Sequence, residues 1–174
     1  LDLLLVSAPA RIVNTASSSH HWNPIQFDNL QGEQEFPPGK FGMPAMYGWS
    51  NTYRIMFTYE LANQVRDTGI VANTFCPGFV AVQRSAAPRI VNAIMPLFGV
   101  LAKARSPQEA AEIIVYLATS PEAATQTGTY YSSGELTRSS AETYDEALRN
   151  RLWHTTLNLL GYTHDPLERV TTVS

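Results

Sequence analysis

Residues 47–76, YGWSNTYRIMFTYELANQVRDTGIVANTFC, carry the pattern that decides the fold. From Tyr47 to about Arg66 the apolar side chains recur at three- and four-residue steps without a proline, which predicts a long helix. Thr68-Gly69 ends that helix, and IVANTFC (70–76) then has the β-branched and apolar composition of a buried strand. The segment therefore predicts a helix that leads directly into a strand.

A second strand candidate precedes this helix. RIVNT (11–15) is short and β-branched, and it lies between Pro9 and a cluster of serines, so we expect it to be a buried strand. Strand, helix and strand in this order indicate a crossover between parallel strands. Residues 19–46 contain four prolines, which exclude a long helix or strand there. A long irregular connection of this kind more often has a function than serves only to join two elements.

The second half of the chain continues the alternation. Ser106-Pro107-Gln108-Glu109 is a capping box with proline at the first helical position, and it predicts a helix to about Thr119. GTYYS (128–132) predicts a short final strand. A second box at 139–142 predicts a helix that ends at Gly161, with an apolar stripe of Leu148, Leu152 and Leu159.

The two ends of the chain complete the pattern. The opening LDLLLV resembles the end of a helix that began upstream, and residues 165–174 predict a loose polar tail. The chain thus predicts one domain over 1–174, with three strands and about five helical pieces. Three strands are few for a doubly wound sheet. We therefore predict an α/β fold with a Rossmann-like, doubly wound parallel sheet whose N-terminal half is missing.

Composition excludes several classes of function. The net charge of −3 provides no basic surface for nucleic acid. Cys76 is the single cysteine, which excludes an internal disulfide, and the four histidines do not have the spacing of a zinc site. The apolar stretch 90–102 is too short to span a bilayer, so no transmembrane segment is predicted. These features favour a metal-free protein in the reducing cytoplasm.

Two hydroxyl groups are the candidates for chemistry. Ser17 follows the first predicted strand and Tyr47 begins the long helix, so both are expected at the carboxyl ends of the parallel strands. Two hydroxyls directed at one carbonyl oxygen would polarise it and exchange its proton. Each residue alone has a commoner structural explanation, since serine often caps helices and tyrosine often packs.

The order of the motifs resembles that of the short-chain dehydrogenase/reductase family, and especially its retinol-dehydrogenase-like branch. The pieces that carry the resemblance extend over nearly the whole chain: RIVNTASSSHH (11–21), FDNLQGE (27–33), YGWSNTYRIMFTYELA (47–62), GIVANTFCPGFV (69–80) and RLWHTTLNLLG (151–161).

The resemblance implies a role for each matched position. Ser17 matches the serine that orients the substrate carbonyl, and Tyr47 matches the general acid/base. Pro77, Gly78 and Val80 match the loop that contacts the nicotinamide of NAD or NADP. The implied substrate is a small or apolar carbonyl or alcohol compound, and an oligomer is compatible with the resemblance.

Two positions depart from the family pattern. The family has a lysine four residues after its tyrosine, one helical turn away, and Asn51 occupies that position here. A lysine ammonium would lower the pKa of the tyrosine and hold the nicotinamide ribose. Asn51 brings no charge but can still hydrogen-bond the ribose, so it is a candidate catalytic and cofactor-binding residue. Arg54 lies on the same helical face and is a candidate substitute for that charge. Val82 replaces a hydroxyl residue, which removes a cofactor hydrogen bond worth about 1 kcal/mol.

The chain contains no glycine-rich turn of the family's type, which binds the cofactor phosphates. The resemblance implies that this turn lies upstream, with very roughly 100 or more absent residues. We therefore expect the chain alone to bind neither NAD(H) nor NADPH and to be inactive. The stretch 90–102 aligns with the family's variable lid over the substrate, although a helix packed on the core explains it equally well.

Two other functions have some support in the sequence. Gly48-Trp49-Ser50-Asn51-Thr52 approaches the nucleophile elbow of serine hydrolases, but its closing glycine is absent and no strand precedes it. The stronger alternative is a non-catalytic pseudoenzyme that binds a cofactor or partner, and Asn51 is the main support for it.

Overall fold

The computed structural model describes residues 2–22, 25–34, 39, 45–80 and 104–167. Within these ranges the chain forms an α/β domain with five α-helices, four strands and three short 3-10 helices. The helices are α1 (Asp2–Val6), α2 (Ala45–Gln64), α3 (Pro107–Thr119), α4 (Pro121–Ala124) and α5 (Glu146–Leu159), the strands are β1 (Ala10–Thr15), β2 (Ile70–Cys76), β3 (Tyr130–Ser132) and β4 (Glu135–Leu136), and the 3-10 helices are Ser18–His21, Phe27–Asn29 and Ala141–Tyr144.

The strands form one sheet in the order β1-β2-β3-β4. β1 pairs with β2 in parallel, and β2 pairs with β3 in parallel. β4 runs antiparallel to β3 and forms a hairpin with it. The predicted parallel arrangement is therefore confirmed, and β4 is an addition because a two-residue strand leaves no periodic signal in the sequence.

Helices cover both faces of this sheet. On one face, Leu61 of α2 and Val65, which directly follows α2, pack with Ala72 of β2 and with Trp153 and Leu157 of α5. On the other face, Phe75 and Tyr131 pack against α3 and α4 through Ile113, Leu117 and Ala123. Successive side chains of a strand point to opposite faces, so β2 supplies both layers of the core. The sheet is doubly wound, as predicted.

The first capping box is confirmed in detail. Ser106 Oγ accepts a hydrogen bond from the backbone N–H of Glu109 at 3.2 Å, and the Glu109 carboxylate accepts one from the N–H of Ser106 at 2.7 Å. Pro107 occupies the first turn, where its missing N–H costs no hydrogen bond. α3 therefore begins where the sequence predicts it.

The second predicted capping box is wrong. Residues 141–144 form a 3-10 helix without a side-chain cap, and α5 begins separately with Asp145, whose carboxylate accepts from the N–H of Leu148 at 3.0 Å. The Ser139 hydroxyl is engaged by Tyr59 at 2.8 Å and Thr143 at 2.6 Å, so it is not free to cap a helix.

Burial corrects three smaller expectations. β1 is half-buried to exposed along its length rather than buried. Leu159 of the predicted apolar stripe is 53% exposed, whereas Trp153 and Leu157 are buried. Of the tail predicted to be loose from residue 165, Asp165 and Leu167 are buried, and Asp165 accepts a short hydrogen bond from Trp153 Nε1. Val82 and the lid stretch 90–102 lie outside the described residues.

Candidate functional site

Ser17 lies at the carboxyl end of β1, beside the corresponding end of β2. The N–H of Ala16 donates to the carbonyl of Phe75 at 2.6 Å, which extends the parallel pairing one residue beyond β1. Ser17 then turns the chain: its Oγ accepts from the N–H of Ser19 at 3.3 Å and caps the 3-10 helix Ser18–His21. The serine is therefore a cap, as its commoner structural explanation predicts, and it lies where the sequence also predicts the reactive crevice.

Tyr47 lies in the first turn of α2 and is 41% exposed. Its ring is near that of Trp22, with a centroid distance of 6.4 Å. α2 connects β1 to β2 and therefore begins at the carboxyl ends of these strands and ends near their amino ends. Tyr47 is thus at the same edge of the sheet as Ser17, with a partly exposed phenol.

Asn51 connects the helix to the turn that follows β1. It is 2% exposed, and its Nδ2 donates to Ser19 Oγ at 3.1 Å and to the Tyr47 carbonyl at 2.7 Å. The next residue of α2 is Thr52, and its Oγ1 donates to the carbonyl of His20 at 3.3 Å. Two successive residues of α2 therefore hold the 3-10 helix that Ser17 caps.

Arg54 approaches the same group of residues. Its Nη1 donates to the carbonyl of Thr15, the last residue of β1, at 2.8 Å, and to Asn51 Oδ1 at 3.5 Å. Neither of these two acceptors is a carboxylate. The guanidinium therefore places a positive charge at the carboxyl end of β1, in contact with Asn51.

The loop after β2 holds Pro77, Gly78 and Val80 next to the hairpin of β3 and β4. Gly78 has φ +82°, and a Cβ there would lie 2.6 Å from Ser133 Oγ, so the loop requires glycine. Val80 forms a parallel bridge with Arg105, whose Nη2 donates to the carbonyl of Ser133 at 2.7 Å. These contacts fix the loop at the same edge of the sheet as Ser17.

The structure adds His20 to the site. The ring is 1% exposed, and its Nδ1 lies 2.7 Å from the carbonyl of Ser17. Burial lowers the pKa of His20 to about 4, and the neighbouring His21 contributes in the same direction. The histidine pair is visible in RIVNTASSSHH, but nothing in that sequence indicates that the first histidine is buried and the second is exposed.

A separate groove of about 560 Å³ lies between α2, α5 and the segment before β3, lined by Tyr59, Arg66, Thr127, Gly128, Tyr144 and Arg149. Arg149 is buried there and forms an ion pair with Glu60 at 3.6 Å. None of the predicted site residues lines this groove. Within the described ranges, no cluster of three or more His, Cys, Asp or Glu side chains is arranged to hold a metal ion.

The described helices include none that is both long enough and apolar enough to cross a membrane. No protein-family model matches the chain. Among solved structures, an uncharacterized protein from Mycobacterium paratuberculosis superposes with a TM-score of 0.55 at 15% identity, over 88% of this chain and 51% of that one. This likeness supports the fold alone.

Similarity to curated proteins is more specific. The chain is 34% identical to Retinol dehydrogenase 11 of Mus musculus, 31% identical to Retinol dehydrogenase 14 of Homo sapiens and 30% identical to Retinol dehydrogenase 13 of Homo sapiens. Each match covers 92% of this chain but only 49%, 47% and 49% of the respective relative. The chain therefore spans about half the length of the relatives it matches, and it belongs to the short-chain dehydrogenase/reductase family, in the retinol-dehydrogenase-like branch.

Proposed function

We propose that this chain is the C-terminal part of an NAD- or NADP-dependent oxidoreductase that interconverts a carbonyl and an alcohol on a small or apolar substrate. One observation carries the proposal: the Asn51 amide joins Ser19 Oγ to the Tyr47 carbonyl, and so ties the turn of Ser17 to the helix of Tyr47. A fixed relation between these elements is what two cooperating hydroxyls require.

In the proposed reaction, the bound nicotinamide supplies or accepts hydride. Ser17 Oγ donates a hydrogen bond to the substrate oxygen and polarises the carbonyl. The Tyr47 phenol gives its proton to that oxygen during reduction and receives it during alcohol oxidation. Carbonyl reduction uses the phenol as an acid, whereas alcohol oxidation uses the phenolate as a base.

The residues present fit the nicotinamide end of the cofactor, and only that end. Pro77, Gly78 and Val80 are held at the edge where Ser17 lies, so their backbone groups are available to the nicotinamide. The sequence contains no glycine-rich turn for the phosphates. The longer protein proposed here would supply that turn.

A cytoplasmic location belongs to the same proposal, because Cys76 is a free buried thiol.

A pseudoenzyme is the second candidate, and Asn51 favours it. Both amide protons of Asn51 are used, by Ser19 Oγ and by the Tyr47 carbonyl, and the side chain is 2% exposed. An amide offers two protons, so none remains for a cofactor ribose. In this second candidate Asn51 is an internal connector, which brings no positive charge and has no amide proton left to donate to the ribose.

The two candidates are separated by NADPH consumption in the longer protein, assayed with a panel of apolar aldehydes. If the protein is an enzyme, Tyr47→Phe lowers kcat about 10²- to 10⁴-fold, because the proton donor is lost. Tyr53→Phe is the matched control on the same helix, since its hydroxyl binds only the backbone of Gln26. Activity that appears only after Asn51→Lys would establish the pseudoenzyme instead.

The 174-residue chain itself should not bind the cofactor. We expect no saturable change in nicotinamide fluorescence when NADH or NADPH is titrated with it, because its sequence lacks the phosphate-binding turn. The control is the longer protein, which should change the fluorescence with a defined midpoint. Saturable binding by the chain alone would contradict the proposed division of the cofactor site.

A further inference from the structure

The backbone of Ser17 is held by a buried imidazole. The Ser17 carbonyl accepts from the backbone N–H of His20 at 3.3 Å and contacts His20 Nδ1 at 2.7 Å. Ser17 Oγ makes only the longer 3.3 Å contact with the N–H of Ser19. The contact with the imidazole is therefore the shortest of the three, and it acts on the backbone from which the Ser17 hydroxyl projects.

The chemistry of this contact fixes the tautomer of His20. A carbonyl oxygen has no proton to give, so Nδ1 must be the protonated nitrogen and must donate. Because burial lowers the pKa of His20 to about 4, the ring is neutral near pH 7. A neutral ring with a proton on Nδ1 has a bare lone pair on Nε2.

Within the described ranges, the hydroxyl of Tyr130, near this lone pair, also lacks a hydrogen-bond partner. Among the described residues, neither His20 Nε2 nor the Tyr130 hydroxyl has a hydrogen-bond partner, although both atoms are buried. The two rings meet edge to face with a centroid distance of 5.0 Å. Ser132 and Cys76 lie close enough to influence the pKa of the hydroxyl, yet neither reaches hydrogen-bonding geometry. One atom is a pure acceptor and the other, a phenol, is a donor.

We propose that His20 is a positioning residue for Ser17, acting as a neutral Nδ1–H tautomer, and that a buried water joins His20 Nε2 to the Tyr130 hydroxyl. The water donates to Nε2 and accepts from Tyr130, so one molecule satisfies both orphaned atoms. Buried waters typically occupy such sites, with two to four polar partners. The role assigned to Ser17 rests on the proposed function, whereas the tautomer and the water do not.

His20 also lies in the path from Ser17 to Tyr47. Its carbonyl accepts from Thr52, and the adjacent Ser19 accepts from Asn51. The imidazole thus holds the Ser17 carbonyl, while α2 holds Ser19 and His20, the residues that follow it. Loss of the imidazole contact should move the Ser17 hydroxyl while α2 keeps its position, and a displaced hydroxyl lowers the rate of the chemical step more than it lowers cofactor binding.

The first test uses ¹⁵N NMR of the histidine rings in the 174-residue chain. We expect His20 to show a protonated Nδ1 and a bare, hydrogen-bonded Nε2, and to show magnetisation transfer from a long-lived water to its ring protons. The Tyr130→Phe variant should remove that transfer. A ring protonated on Nε2, or a ring that exchanges freely between tautomers, would overturn the positioning role, and absence of the water signal would overturn the hydration site.

The second test uses two variants that each keep one ring nitrogen. The amide nitrogen of His20→Asn replaces Nδ1–H, whereas that of His20→Gln replaces Nε2. We expect Ser17 backbone shifts to be retained in the Asn variant and displaced in the Gln variant. In the longer protein, His20→Gln should lower kcat roughly ten-fold with the KM for the cofactor unchanged, and His20→Asn should recover most of that loss.

The matched control is His21→Asn, because His21 is exposed and its ring is tilted against that of His20 with a centroid distance of 3.9 Å. It should leave kcat and the Ser17 shifts unchanged. Equal losses in the Asn and Gln variants would reduce His20 to a packing residue and overturn the inference. If the longer protein is inactive, the proposed function fails, while the ring-nitrogen and Ser17 shifts still decide this inference.

Discussion

The two long strands of the sheet have similar sequences and different surroundings. RIVNT in β1 and IVANTFC in β2 are both β-branched and apolar, and they pair in parallel from Ala10 with Ile70 to Thr15 with Phe75. Every residue of β1 is nonetheless half-buried or exposed, whereas every residue of β2 except Val71 is buried. Strands with the same local signal thus differ in burial because of their neighbours.

Position in the sheet explains this difference. β2 has β1 on one side and β3 on the other, with helices over both faces, whereas β1 pairs on one side only within the described residues. An unpaired edge with apolar side chains is a surface that folded proteins usually cover. The exposed edge of β1 therefore agrees with the proposal that further strands of a longer protein adjoin it.

The largest expected effect tests this contrast inside one core cluster. Phe75 of β2 is 1% exposed, and the half-buried Val13 of β1 packs against the same cluster. Phe75→Ala should lower the free energy of unfolding by about 3–5 kcal/mol, because it leaves a cavity in a packed core. Val13→Ala should cost only about 1 kcal/mol, since part of its side chain is already in water. Urea denaturation with an unchanged m-value measures both.

The outcome decides whether the two strands really differ. Equal losses of stability would mean that β1 is as well packed as β2 and that its edge needs no cover. A loss at Val13 that grows several-fold in the longer protein would instead locate the missing strands beside β1.

The sequence predicted the elements that combine a periodic pattern with a clear end. β2 was predicted with the observed bounds, and α3 was predicted from its capping box, because these signals act over a few residues. The second box failed for a tertiary reason: the Ser139 hydroxyl binds Tyr59, a residue 80 positions away in the chain. No local pattern contains that contact.

The candidate site shows the same division between local and tertiary information. Ser17 and Tyr47 could be placed at the carboxyl edge from the order of strands and helices. The engagement of Asn51 by Ser19, and the burial of His20 beside an exposed His21, depend on how α2 packs on the turn after β1. The sequence predicts that Asn51 can hydrogen-bond the ribose, whereas in the folded chain both of its amide protons are donated to internal acceptors.

The comparison extends to the connections that follow the two strands. The loop after β2 should lose more stability when a side chain is added to it. Gly78→Ala should lower the free energy of unfolding by about 2 kcal/mol, because it adds a Cβ at φ +82° and 2.6 Å from Ser133 Oγ. Gly161→Ala is the matched control: φ is +78°, with nothing within 4 Å, so about 1 kcal/mol of backbone strain remains. Ser133→Ala should rescue Gly78→Ala partly if the clash is the cause, and equal costs at the two glycines would exclude it.

In the turn after β1, the contribution to the free energy of unfolding should depend on pH, whereas in the loop after β2 it depends on added side-chain volume. Burial lowers the pKa of His20 to about 4 from its ordinary value of 6.5, so the unfolded chain binds the additional proton between these pH values. The contribution of His20 to stability is therefore fully present above pH 6.5 and is lost as pH falls toward 4. Its slope stays below about 1.4 kcal/mol per pH unit, the limit for one proton. His20→Asn should flatten this part of the curve, and His21→Asn should change it much less, because burial of His20 is the main cause of its lowered pKa and His21 a smaller one. An identical pH dependence in the parent chain and in His20→Asn would show that the imidazole is charged or solvated in the folded state. The turn after β1 would then be exposed to solvent like the unpaired edge of β1.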